Sequence, residues 1–166
     1  MNNSTSYWLK KGIHNGMPIA LGYLAVSFTL GIAAKNAGLT ALQAALASIT
    51  CHASAGEFAG FTLIAALAAY TEIAVMELII NARYFLMSCA LSQKLDNKMP
   101  FFHRLIMGLF VTDEIFGLTV SVPEKLNPAY MYGMVLVASP AWVLGTYFGV
   151  LFGNCLLYTS PSPRDA

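Results

Sequence analysis

Long apolar runs alternate with short polar breaks along this chain. Residues 16–34 form the first run, which ends at Lys35 and Asn36. Residues 72–92 form a second, with polar groups inside it. Residues 105–122 form a third, closed by Pro123, and residues 129–152 a fourth. A helix needs about 20 apolar residues to cross the hydrocarbon of a bilayer, so each run predicts a spanning helix. Residues 39–71 read differently. They hold two apolar pieces of roughly 15 residues, each short for a full crossing, separated by SAGEFAG at 54–60. The glycines with Ser54 and Glu57 suit a break between two half-length helices.

Charge fixes the expected orientation. Lys10 and Lys11 place the N-terminus inside, and Lys94, Lys98 and Arg104 place their loop inside too. The first helix goes out and the second returns, so residues 39–71 start and finish outside. They are either two short crossings or a re-entrant hairpin with its tip in the membrane. Irregular backbone at that depth is tolerated only inside protein or beside a water-filled cavity, and broken helices are where secondary transporters bind substrates. The plainer alternative is a loosely packed hairpin of small-residue helices. The expected fold is an all-α polytopic membrane domain with about four full spans plus a pair of short or re-entrant helices. No internal repeat is evident, and residues 96–100 read as a loop rather than a domain linker. The first run is longer than a signal-peptide core and more spans follow, so it reads as retained.

Composition agrees. Hydrophobic residues make up 57% of the 166 and charged residues 10%, against about 25% charged in soluble domains. A net charge of +1 points to no nucleic-acid partner. Cys51, Cys89 and Cys155 are far apart and His14, His52 and His103 are scattered, so neither a metal site nor a cofactor is expected.

Charges inside spans need a reason, because each costs roughly 2.5–3.5 kcal/mol at the bilayer centre on insertion scales. Glu77, Asn81 and Tyr84 fall at i, i+4 and i+7 and share one helix face. Arg83 points elsewhere and needs a partner from another element; Asp113 and Glu114 are the candidates. That pair could equally be structural, fixing helix register. Glu72 reads as interfacial. Glu57, with Ser54 and Gly56 at the glycine-flanked break, has free backbone groups nearby to bind a ligand. Burial disfavours the charged form of a carboxylate, which makes Glu57 a candidate proton carrier. Its alternative is a plain bond to its own helix N-terminus. Pro18 and Pro140 free backbone groups within their helices. Gly145, Gly149 and Gly153 form a small-residue stripe for close helix packing, within this chain or onto a partner.

Five segments taken in order resemble the AzlC family, the large subunit of bacterial branched-chain amino acid exporters. They are PIALGYLAVSFTLGIAAKNAG (18–38), HASAGEFAG (52–60), NARYFLMSCAL (81–91), TDEIFGL (112–118) and SPAWVLGTYFGVLFG (139–153). Glu57 stands where the family usually has Gln, and Tyr84 where it usually has His. The resemblance implies export of hydrophobic amino acids such as valine, leucine and isoleucine, and possible carriage of methionine. It also implies a small AzlD-type membrane partner and a prokaryotic cytoplasmic membrane. Ser54, Gly56, Glu57, Glu77, Asn81, Arg83, Tyr84, Asp113 and Glu114 are then the expected substrate- or ion-binding residues. Residues 1–154 are the expected AzlC-like domain, lacking the family's last helix. Residues 155–166, CLLYTSPSPRDA, resemble one reading frame of a transposon-derived sequencing adapter and are expected to be non-native.

An enzyme is not expected. Ser54 lacks a GxSxG setting, no span carries HExxH, and Asp113 has no second Asp in a glycine-flanked helix. An assembly subunit of another transporter and an ion channel remain as alternative readings.

Overall fold

The computed structural model describes residues 4–96, 99–123 and 125–157, with side chains to residue 153. The suspected adapter sequence lies outside the described residues from 158 onward; residues 155–157 continue the last helix. Seven helices and no strand occur among the described residues. Three are long and apolar enough to cross a membrane: α1 (Thr5–Asn36), α4 (Tyr70–Lys94) and α7 (Pro128–Leu157). α1 runs on through Pro18 and α7 through Pro140.

The short helices come in pairs. α2 (Ala41–Cys51) and α3 (Ser54–Ala65) follow α1, and α5 (Phe101–Leu109) and α6 (Asp113–Val120) follow α4. The second pair corrects the expectation of four full spans. Residues 105–122 do not form one helix, because the chain stops at Leu109 and restarts at Asp113. Thr112 supplies the reason: its hydroxyl accepts from the Ile115 amide as an N-cap, and Asp113 and Glu114 occupy the first turn. Carboxylates there are favoured by the helix dipole.

Each pair is a hairpin that enters and leaves at the same end of the bundle. Phe61 and Ile64, late in α3, pack with Leu30 and Ala34 at the end of α1 and with Ala41 and Ala44 at the start of α2. Thus α3 returns to the end from which α2 came, and the first pair is the re-entrant hairpin rather than two crossings. Its tip turns at His52, whose left-handed φ of 37° closes α2. The α5–α6 hairpin enters from the opposite end. His103 lies 2.6 Å from Tyr132 near the start of α7, and Lys94 donates to the Val120 and Val122 carbonyls at 2.7 and 2.6 Å. Helices of this length reach about 12–18 Å at 1.5 Å per residue, roughly half of a bilayer core. Both tips therefore end near mid-height, where the His52 and Phe110 rings lie 5.9 Å apart.

The order is long–short–short, twice, in opposite directions, with α7 added. That is the element order of an inverted repeat, and the spacing Glu57, Gly60, Thr62 in α3 recurs as Glu114, Gly117, Thr119 in α6.

α1 and α7 run parallel and form the scaffold. Gly12 lies on the Tyr130 backbone, Gly16 on Met134, and Gly31 on Thr146 and Gly149; Gly145 lies on Leu24 and Ser27, and Gly149 on Phe28. The stripe of Gly145, Gly149 and Gly153 thus finds its partner within the chain, on α1. α4 is the opposite case: none of its span window is buried.

Candidate functional site

Where the two tips meet, α1, α4 and α7 surround a recess of about 90 Å³. Tyr23, His52, Ser54, Tyr84, Thr112, Asp113, Glu114 and Trp142 line it, with Val26. α3 and α6 both begin here, so two helix N-termini with free N–H groups border one space. Tyr23 Oη lies 2.6 Å from both Thr112 Oγ1 and Glu114 Oε2. A phenol has one proton and an ionised carboxylate only accepts. With Glu114 ionised, Tyr23 donates to Glu114 and accepts from Thr112. Tyr23, His52 and Trp142 pack edge-on or tilted, with centroids 5.0 to 6.4 Å apart. His52 Nε2 also lies 3.3 Å from Ser139 Oγ.

Arg83 flanks the recess through two of its lining residues. Its Nη1 is 3.0 Å from Asp113 Oδ2, and its Nη2 donates to Tyr84 Oη at 3.0 Å. The guanidinium also lies over the Tyr84 ring, 4.9 Å from its centroid. The cross-helix partner is therefore Asp113, while Glu114 goes to Tyr23. A double-mutant cycle tests this contact. Arg83→Gln and Asp113→Asn should each lower thermal stability, and the double variant should lose less than their sum. The coupling should be about 1–3 kcal/mol, within the range for contacting residues. Additive losses would show that the pair does not operate in the membrane.

Glu57 sits behind the recess and is 2% exposed. Its Oε1 accepts from Trp142 Nε1 at 2.5 Å and its Oε2 from Ser48 Oγ at 2.8 Å. Ser48 Oγ is also 2.8 Å from Thr146 Oγ1. With Glu57 ionised, Ser48 spends its proton on the carboxylate and Thr146 donates to Ser48. Glu57 is thus tied to α2 and α7 rather than to its own helix N-terminus, which was the plainer expectation.

Glu77 and Asn81 lie on the far-end side of the tip. Asn81 Nδ2 donates to Glu77 Oε2 at 2.8 Å. A Cβ at Gly56 would lie 2.7 Å from Glu77 Oε2, and one at Gly60 2.9 Å from Oε1. The two glycines are the notch that admits the Glu77 carboxylate against α3. These groups line a second, more open cavity of about 380 Å³ with Cys51, Glu57, Phe61, Ile64 and Ile73. Asn81 Oδ1 is buried there without a partner. The polar face predicted on α4 is therefore divided: Glu77 and Asn81 serve this cavity, and Tyr84 serves the recess. Glu72 lies exposed in the first turn of α4, away from both.

Tyr23, Ser48, His52, Thr112 and Trp142 were absent from the sequence-based set. Each is a single polar or aromatic residue whose partners lie on other helices, so local spacing carries no sign of it. Thr112 is the exception, because Thr-Asp-Glu inside an apolar run is a helix-start signal. Among the described residues, no group of three or more His, Cys, Asp or Glu side chains could hold a metal ion.

The family model described as "AzlC protein" matches residues 18–156. An uncharacterized membrane protein of Archaeoglobus fulgidus is 34% identical over 154 residues, covering 93% of this chain and 67% of that protein. The inner membrane protein YgaZ of Escherichia coli K12 is 23% identical over 160 residues, covering 94% and 65%. An uncharacterized membrane protein of Helicobacter pylori J99 is 26% identical over 151 residues, covering 87% and 64%. The chain spans about two thirds of the length of these relatives. No solved structure matches it significantly. On the extent of the family match and of the archaeal relative, the chain belongs to the AzlC family of membrane proteins.

Proposed function

We propose that this chain is the core of an exporter for branched-chain and other hydrophobic amino acids, working with a small AzlD-type membrane subunit in a prokaryotic inner membrane. One observation carries the reading: two re-entrant hairpins from opposite ends meet at mid-height around a recess of acids, hydroxyls and helix N-termini. The substrate class is the one that the family resemblance implies. The N-termini of α3 and α6, with Ser54, would take the carboxylate of the amino acid. Asp113 or Glu114 would take its ammonium, with Arg83 exchanging between them as the site turns. The recess of about 90 Å³ holds the volume of about three waters, so the hairpins must part to admit a branched side chain. Glu57 or Glu77 would carry the coupling proton. The lysines at the N-terminal end favour the cytoplasmic side for that end, by the positive-inside bias. No covalent step is needed.

The test is efflux of labelled valine and leucine from cells expressing the full-length gene, with and without the neighbouring small membrane gene. Efflux requiring both genes is expected. Ion flux without amino acid flux from reconstituted protein would replace this reading with a channel. If no hydrophobic amino acid leaves while both proteins sit in the membrane, the exporter assignment is wrong.

A further inference from the structure

The recess is open on one side, and that side faces out of the bundle at mid-height. Its lining includes Val26 on α1 and Tyr84 on α4, with Ser54, Asp113 and Glu114 exposed, and Arg83 flanks it on Asp113 and Tyr84. The Arg83 and Asp113 side chains are 44% and 50% exposed. Lipid chains do not satisfy such groups. Each ion would cost roughly 2.5–3.5 kcal/mol at the centre of a bilayer, and an ion pair is tolerable there only where other groups complete its hydrogen bonds. The wall beside the mouth is apolar: Ile79 and Leu86, one turn on either side of Arg83, are 65% and 69% exposed. A polar mouth set in an apolar, unburied helix is what a missing helical neighbour leaves behind.

The relatives indicate the neighbour. The matched region covers only 64–67% of their length, leaving about a third of the family polypeptide outside this chain. A crossing takes about 20 residues, so that third is long enough for more than one. We propose that this mouth is an intramolecular interface, covered in the full-length protein by a membrane helix from the remaining third of the same polypeptide. That helix completes the site. Asp113 is paired with Arg83, so Glu114 is the carboxyl group of the mouth without a cation, met only by the Tyr23 hydroxyl among the contacts seen here. The covering helix therefore brings at least one hydrogen-bond donor or a cation to Glu114, set among apolar residues that pack on Ile79 and Leu86.

The experiment places a photoactivatable benzophenone side chain at Val26, Ile79 or Leu86 of the full-length protein in its native membrane. Leu136 on α7, 60% exposed, serves as the control. Two positions on α4 and one on α1 guard against a single substitution that fails to assemble. Expected is a crosslink within the polypeptide, without an added-subunit shift in mass, that maps by peptide sequencing to residues outside 1–157. A crosslink to a separate small protein or to a second copy would overturn the proposal, and so would labelling of lipid alone, as at Leu136. The readout uses no transported solute, so it stands or falls independently of the substrate class.

Discussion

Alanine at Gly31 or leucine at Gly149 should remove most of the folded protein. A Cβ at Gly31 would run into the Thr146 carbonyl oxygen and lie 2.7 Å from Gly149 Cα; one at Gly149 would run into the Phe28 carbonyl oxygen and lie 2.9 Å from Gly31 Cα. All of these atoms are backbone. Overpacking a core usually costs about 1–3 kcal/mol because side chains move aside. Here a helix must move instead, so even alanine should cost about 3 kcal/mol. Gly22 on the same helix is the control, with nothing within 4 Å of its Cβ position. Gly22→Ala should be neutral or stabilising by up to about 1 kcal/mol, the helix-propensity difference. Melting of detergent-solubilised protein, followed by size exclusion after heating, separates the two. If Gly31→Ala melts with the parent, the seam between α1 and α7 is not as close as described.

Replacing Glu57 should divide packing from proton chemistry. In Glu57→Gln the amide oxygen can still accept from Trp142. The amide N–H can donate to Ser48, Ser48 can then donate to Thr146, and Thr146 can turn its own proton to the Trp142 carbonyl at 3.3 Å. Stability should change by less than about 1 kcal/mol, since every partner remains satisfied. Glu57→Leu leaves the indole N–H and the Ser48 hydroxyl in want of partners, at about 1–3 kcal/mol for each group left unsatisfied. Leucine should therefore lower the melting temperature clearly and glutamine should not. For transport the expectation is sharper: Glu57→Gln should move solute with its pH dependence flattened. An unchanged pH profile would end the proton-carrier role for Glu57 and leave Glu77 as the candidate.

The long helices were legible because an apolar run of about 20 residues has few other uses. Counting crossings between charged loops showed only that residues 39–71 start and finish on one side, and the packing of α3 against the end of α1 chose the re-entrant form over two crossings. α5–α6 escaped the same count. A hairpin and a single crossing differ by one passage, and residues 105–122 carry no proline, while their two glycines, Gly108 and Gly117, lie nine residues apart. Thr112 with Asp113 and Glu114 was the available mark, and it was read as charge inside a span. Asp113 as the partner of Arg83 was accessible because an ion in a membrane needs a counter-ion. The roles of Tyr23, Ser48 and Trp142 were not, because aromatic and hydroxyl side chains occur in membrane helices without any such obligation.

The inverted repeat bears on direction. If the unit α1–α2–α3 and the unit α4–α5–α6 can each adopt the conformation of the other, exchanging them yields a second state with the recess facing the opposite end. α7 breaks that symmetry, because it packs along α1 while none of the α4 span is buried, so the two states would not be equal in free energy. An unequal pair of states changes how fast a carrier cycles, but not which way it runs. Net flow would be set by the gradients of solute and coupling ion, and reversing those gradients in vesicles should run the same protein backwards.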